Sequence, residues 1–203
     1  MKEASVNSGS MGIWKMSKTI GVIAEDNSDI DVIVEILAKY LERNSFTVKH
    51  FVGNGCGKLV QKCGSWAETL VKRGCDHIFL FHDLDRNNET ELRKKLIKKI
   101  NPLNLECSLI VIPTEELEAW LLSDMEALKK TFSLKKVPKK ISNCESVKSP
   151  KEHLATLVWN SDRKQYINTV HNKRITQNMT LENLRRCSSF FLFDQYVIKN
   201  LSC

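Results

Sequence analysis

Two aspartates one residue apart, Asp83 and Asp85, follow the apolar run at residues 78–81. A short apolar run before turn-forming residues is typical of a buried strand. In an extended chain, residues i and i+2 face the same side, so we expect the two carboxylates to point the same way. Mg2+ is usually held by one or two carboxylates together with water and substrate phosphate. The pair therefore predicts a divalent-metal site, with a plain turn after a strand as the alternative.

Two glutamates follow other predicted strands. Glu25 comes directly after residues 19–24, and Glu118 comes shortly after residues 109–112. Open α/β sheets bind ligands beyond the carboxyl ends of their strands, so we expect both glutamates near the aspartate pair. Glu118 is flanked by apolar residues, which sets it apart from a solvated helix end.

Several polar residues have the spacing of helix starts. Ser28 and Asp31 fit a capping box, with Asp29 in the same turn as a further candidate ligand. Thr114 is expected to cap a helix over residues 115–122, and Asn88 a basic helix after the aspartate pair.

Apolar strand-like runs alternate with amphipathic helix patterns up to residue 128. This alternation predicts βαβ units and therefore a parallel sheet. The expected fold class is α/β: a four-stranded, mainly parallel sheet flanked by helices, with a C-terminal helical extension. The predicted divisions are a flexible leader (1–18), the α/β domain (19–128), a basic connector (129–150) and the helical extension (151–203).

The composition of the 203 residues, with 42% hydrophobic and 27% charged residues, is typical of a core-forming chain. No apolar run approaches the roughly 20 residues of a membrane helix, so no membrane partner is expected. Seven cysteines without a C-x-x-C pair argue against a zinc ribbon or thioredoxin motif and favour reduced thiols in the cytoplasm. The net charge of +7 favours an anionic partner, of which nucleic acid is the commonest.

Basic residues near these motifs are candidates for contacts with a phosphate backbone. Lys58 ends a glycine-rich loop that does not match the Walker pattern. The predicted nucleic-acid contacts are Lys58, Arg86, Lys94, Lys95, Lys98 and Lys99. A solvated helix face is the alternative for the lysine run. DNA is the first choice of partner, with RNA and nucleotides also compatible; the sequence does not specify the oligomeric state.

The order of these motifs resembles the Toprim fold of topoisomerases, primases and OLD-family nucleases. Those proteins carry a glutamate after the first strand and a D-x-D after a later one, matched here by Gly21-Val22-Ile23-Ala24-Glu25 and His82-Asp83-Leu84-Asp85. Residues 113–122 look like small stand-alone Toprim-like proteins often encoded beside an ATPase in bacterial defence loci. The resemblance covers residues 19–128. It departs at Asp26, where the family often has glycine.

The resemblance implies a metal-dependent Toprim-type nuclease that hydrolyses phosphodiester bonds in phage or foreign-DNA defence with an ATPase partner. It implies Glu25, Asp83 and Asp85 as catalytic residues, Glu25 being a metal ligand or a general base. The Mg2+ or Mn2+ ligands would be Glu25, Asp29, Asp83, Asp85 and Glu118.

Two other functions fit the same residues. One is a non-catalytic Toprim-like docking or regulatory module. The other is a phosphoacceptor receiver, with acids at Glu25 and Asp26, a phosphorylatable Asp83, and Thr114 after the fourth strand. A receiver also needs a fifth strand ending in lysine, which the sequence from Lys129 onward does not predict.

Overall fold

The computed structural model describes residues 17–100 and 107–202, so residues 1–16 of the predicted leader lie outside the described residues. The strands are β1 (Lys18–Ala24), β2 (Phe46–Val52), β3 (His77–Phe81) and β4 (Ser108–Val111). They form one sheet in the order β2-β1-β3-β4, and every neighbouring pair is parallel. The predicted α/β fold with a four-stranded parallel sheet and a helical C-terminal segment is confirmed.

The strand order creates a switch point between β1 and β3. The chain leaves β1 to build β2 on one side, then crosses to build β3 and β4 on the other. In the register of this central pair, Ile23 lies opposite Leu80, so the two strands end nearly level. Ligands of open α/β sheets bind in the crevice beyond such a point. The fold therefore places the residues after β1 and β3 side by side.

Helices cover both faces of the sheet. They are α1 (Asn27–Leu37), α2 (Cys56–Lys72), α3 (Glu89–Ile100), α4 (Glu118–Leu121), α5 (Met125–Phe132), α6 (Pro150–Asp162), α7 (Asn168–Asn178), α8 (Leu181–Leu184) and α9 (Phe191–Asn200). Successive strand side chains point to opposite faces. Ile23 accordingly packs with α2 and α3, whereas Val22 packs with α1 and the C-terminal helices. The central strands β1 and β3 are thus buried on both sides, as strands of parallel sheets usually are.

The C-terminal helices share the hydrophobic core of the α1 face. Phe193 of α9 stands edge-on to Phe79 and Phe81, with ring centroids 5.1 and 5.3 Å apart. Helix α7 packs along α1, and α5 runs past the predicted division at residue 128. The helical segment therefore completes the core of the sheet, although its assignment as a separate unit stays a prediction.

On the opposite face, α2 and α3 touch closely at Gly64. A Cβ on this residue would lie 2.6 Å from the backbone oxygen of Lys99. Only glycine allows this approach, so the contact sets the distance between the two helices.

Among the described helices, none is long and apolar enough to cross a membrane. In the part of the chain described after β4, no fifth strand follows. The receiver alternative therefore gains no support from the described residues.

Candidate metal and phosphate site

Glu25 is fixed at the end of β1 by the loop that follows β2. The Gly53 amide donates to the Ala24 carbonyl at 2.9 Å, and the Asn54 amide donates to the Glu25 carbonyl at 2.8 Å. The Glu25 carboxylate reaches across the switch point, where its Oε1 accepts a 3.1 Å hydrogen bond from the Asp83 amide. Burial raises the pKa of this carboxyl, and nearby His82 and the amide bond partly offset the increase.

Asp83 lies between the ends of β3 and β4. Its Oδ1 accepts a 3.0 Å hydrogen bond from the amide of Leu117. Burial raises the pKa of Asp83 well above its usual range, and repulsion from Asp29, then Glu25, raises it further. The sequence prediction that Glu25 and Asp83 meet at one edge agrees with this geometry.

The extended backbone predicted for the D-x-D pair is wrong. Strand β3 ends at Phe81, two residues before the first aspartate. Asp85 and Arg86 have positive φ values of 46° and 61°, and the Asn87 amide closes the turn on the Leu84 carbonyl at 2.8 Å. Two positive φ values are those of a type I′ turn. Asp85 still belongs to the site, because its charge raises the pKa of Glu25 and of Asp83.

Asp26, and not Ser28, caps α1. The Asp26 carboxylate accepts from the amides of Ser28 and Asp29, and Asp29 Oδ2 accepts in return from the Asp26 amide at 3.0 Å. The predicted box of Ser28 and Asp31 is therefore wrong by two residues. Asp26 has extended backbone angles, so the turn does not require the glycine common in the Toprim family.

Asp29 is buried and faces the other site carboxylates. Burial raises the pKa of Asp29 well above its usual range, with further increases from the charges of Asp26, Glu118 and Glu25. Its position agrees with the predicted cluster of carboxylates. One of its carboxylate oxygens, however, accepts the hydrogen bond from the Asp26 amide that completes the helix cap.

Glu118 opens α4 and is 5% exposed. The predicted helix start at Thr114 is wrong: Glu115 has a φ of 60°, which breaks the helix before it begins, and the helical turn starts at Glu118. Glu118 Oε1 accepts hydrogen bonds from the Tyr166 hydroxyl at 3.2 Å and from Asn172 Nδ2 at 3.1 Å. Its carboxylate is thus held by the C-terminal segment.

Three residues of that segment were missed by the sequence analysis. Asn168, one turn before Asn172 on α7, lies 3.3 Å from both Asp26 Oδ2 and Ser28 Oγ. The Tyr166 hydroxyl oxygen also lies 2.5 Å from Asn172 Oδ1, so its one proton is shared between Asn172 and Glu118. The one local signal is the pair of asparagines four residues apart. This spacing predicts a polar face on a helix but does not indicate which residues that face contacts.

His82 was also missed as a site residue, although it lies directly before Asp83. The residue is 2% exposed. Its Nδ1 lies 2.6 Å from the Asp83 carbonyl oxygen and 3.3 Å from Glu25 Oε1. Its Nε2 is buried and has no hydrogen-bond partner among the described residues.

The donor set fits a hard divalent cation that keeps part of its water. Within residues 17–100 and 107–202, no three His, Cys, Asp or Glu side chains form a complete metal-holding group. Mg2+ does not need such a cage, because one or two carboxylates with water and phosphate suffice. Asp83 Oδ2, Glu25 Oε2 and the Asp85 carboxylate accept no hydrogen bond from the described residues and are the available oxygens.

The predicted basic contacts are separated by the fold. Arg86 lies 3.8 Å from Glu115 Oε2 and 3.4 Å from Ser149 Oγ, so it also joins two loops. Lys95 and Lys99 line a groove between α2 and α3 that reaches His82. The remaining predicted contacts, Lys58, Lys94 and Lys98, are exposed outside the groove lining.

The fold and site define an α/β protein with an acidic crevice at the switch point of a parallel sheet. Residues 24–195 match the family model described as a domain of unknown function (DUF4276), and the chain belongs to that family. The match extends from the end of β1 into α9 and includes both the carboxylates and the α7 residues that hold them. No curated protein and no solved structure matches the chain.

Proposed function

We propose that this protein is a Mg2+- or Mn2+-dependent nuclease of Toprim type. The observation that carries the proposal is the contact between Glu25 and Asp83 across the switch point, with Asp29 and Asp85 close enough to alter carboxyl pKa values there. Carboxylates that raise one another's pKa in a crevice are typical of a functional site.

The residues have separate roles in this proposal. Asp83 and Asp85 would hold the metal ion through oxygens that accept no hydrogen bond from the described residues, with Glu118 as a further ligand. Glu25 takes a proton from the attacking water through its free Oε2, since the Asp83 amide and His82 position its Oε1. A bound divalent cation would supply charge stabilisation at the scissile phosphate.

The cellular setting belongs to the same proposal. The net charge of +7 supports a nucleic-acid substrate, for which DNA is our first choice. An ATPase partner, a role in phage or foreign-DNA defence and a cytoplasmic location rest on the resemblance to stand-alone Toprim-like proteins.

One observation favours a second candidate, a non-catalytic docking module. Glu118 Oε1 already accepts hydrogen bonds from Tyr166 and Asn172. Asp29 Oδ2 already accepts one from the Asp26 amide. In a module of this kind, the acidic cluster would organise the fold without binding metal.

Metal-dependent stability separates the two functions. Metal binding to the native state raises the melting temperature by mass action, so Mg2+ or Mn2+ should stabilise a nuclease. We expect Asp83→Asn with Asp85→Asn to abolish this rise, and Glu25→Gln to keep much of it while losing cleavage.

Cleavage should be assayed on single-stranded, double-stranded and supercoiled DNA and on RNA, with and without the candidate ATPase. If the wild-type protein shows neither metal-dependent stabilisation nor cleavage, the nuclease proposal is wrong and the docking module is favoured.

A further inference from the structure

The groove between α2 and α3 lies beside the acidic crevice and is separate from it. It encloses about 390 Å³, within the range of small-ligand pockets. Val60 of α2 and Leu92 of α3 supply apolar walls, and Lys95 and Lys99 supply charge. The size and mixed lining fit a ligand with both a flat apolar part and an anionic part.

The two ammonium groups of the groove have no carboxylate partner within residues 17–100 and 107–202. Lys95 and Lys99 are one helical turn apart on the same side of α3. Among the described residues, no carboxylate lies within ion-pair distance of either ammonium group. Lysine ammonium groups bind phosphate as point charges, so this wall of the groove favours a phosphate group.

His82 supplies an independent sign of a ligand. A carbonyl oxygen only accepts hydrogen bonds, so Nδ1 must carry the proton that it shares with the Asp83 carbonyl. The other ring nitrogen, Nε2, is buried without a hydrogen-bond partner among the described residues. His82 also lines the groove. A buried, unpaired ring nitrogen beside a cavity points to a missing hydrogen-bond partner.

We propose that the groove binds one nucleoside monophosphate unit. Its phosphate lies against Lys95 and Lys99, a polar group of the nucleoside pairs with His82 Nε2, and its flat part packs between Val60 and Leu92. The inference rests on the proposed nuclease function and assigns the groove to the terminal nucleotide of the substrate.

The test measures mononucleotide binding with EDTA present, so that the metal site does not contribute. Titration calorimetry with dAMP, deoxyadenosine and inorganic phosphate should show the tightest binding for dAMP. Lys95→Ser with Lys99→Ser should weaken dAMP binding at least tenfold. Lys94→Ser with Lys98→Ser removes the same charge from the same helix outside the groove lining and should change it less than twofold.

A second variant tests the histidine. His82→Phe keeps a ring of similar size and removes the unpaired ring nitrogen, so it should lose the preference for dAMP over inorganic phosphate. Its melting curve checks that it folds, and the lysine pair carries the test if it does not. Short oligonucleotides with and without a 5′-phosphate distinguish a strand end from a free nucleotide.

The outcomes separate this inference from the proposed function. Absence of saturable dAMP binding, or equal losses in both lysine pairs, would overturn the groove assignment even if metal-dependent cleavage persists. Selective loss in the Lys95 and Lys99 variant supports the groove, and it does so even if the protein cleaves nothing and the nuclease proposal fails.

Discussion

At the scale of single residues, the buried carboxylates of the acidic crevice destabilise the metal-free folded state. Burial raises the pKa of Glu25, Asp29 and Asp83, and their mutual repulsion adds to the effect. A carboxyl whose pKa is higher in the folded state stabilises the fold below its unfolded pKa, about 4, and this contribution is lost as pH rises through the folded value. At neutral pH, either proton uptake or the binding of a cation would therefore relieve the unfavourable charge in the crevice.

Asp83→Asn should stabilise the metal-free protein at neutral pH. Asparagine keeps an oxygen for the Leu117 amide and removes the buried charge. We expect a gain of about 0.5–2 kcal/mol in EDTA at pH 7, which disappears as pH falls below about 4 because Asp83 is then protonated in both states. Chemical denaturation of wild type and Asp83→Asn in EDTA across this pH range measures the difference in their free energies of unfolding.

Glu68→Gln is the control for this charge removal, because Glu68 is half-exposed and only pairs with Lys72 along the α2 surface. It should change stability by less than about 0.5 kcal/mol. An Asp83→Asn protein less stable than wild type at pH 7 would mean that the carboxylate is a structural acceptor first.

At the scale of elements, the close contact of α2 and α3 shapes the groove. Gly64→Ala would place a methyl group 2.6 Å from the Lys99 carbonyl oxygen, so the helices must separate. Overpacking of this kind typically costs about 1–3 kcal/mol. We expect that loss in chemical denaturation, together with altered nucleotide binding because the Lys99 wall moves.

Gly57→Ala is the matched control on the same helix. A Cβ at Gly57 meets nothing within 4 Å, so stability should stay equal or rise by up to about 1 kcal/mol. Equal losses in the two variants would show that the α2–α3 contact is not tight.

The elements also show how far local sequence determines this fold. The sequence predicts a strand over residues 46–52, and β2 occupies these residues because the apolar pattern and the flanking turns are local signals. The predicted helix at Thr114 failed because tertiary bonds hold the loop open: Asp85 donates to the Glu115 carbonyl and Leu117 donates to Asp83. Such competing partners are invisible to helix propensity.

The sequence likewise predicts some residues of the candidate site and not others. Glu25 and Asp83 were predictable because strand ends of a parallel sheet meet at one edge. Tyr166 and Asn168 contact site residues 48 and 142 positions away along the chain, and no local pattern encodes those distances.

At the scale of the whole molecule, the C-terminal helices hold both the core and the crevice. Asp194 of α9 accepts hydrogen bonds from Tyr40, just after α1, and from Arg185, just after α8. Asn172 of α7 holds Glu118, and Asn168 contacts the α1 cap. A change that loosens the helical segment should therefore loosen the acidic crevice as well.

Phe193→Ala tests this coupling. Phe193 is fully buried against Phe79 and Phe81 of β3, and truncating such a residue typically costs about 3–5 kcal/mol. We expect one cooperative unfolding transition at lower denaturant, coincident by circular dichroism and by tryptophan fluorescence. We also expect a smaller metal-dependent rise in melting temperature, since the α7 contacts to the site weaken.

Phe191→Ala supplies the control, because it makes the same substitution two residues earlier, where the side chain is 60% exposed. It should change stability by less than about 0.5 kcal/mol and leave the metal response intact. A Phe193→Ala protein with two separate transitions, the earlier one without effect on the metal response, would contradict the coupling. Residues 151–203 would then be an independent extension, because their helices would unfold while the sheet and its carboxylates stay in place.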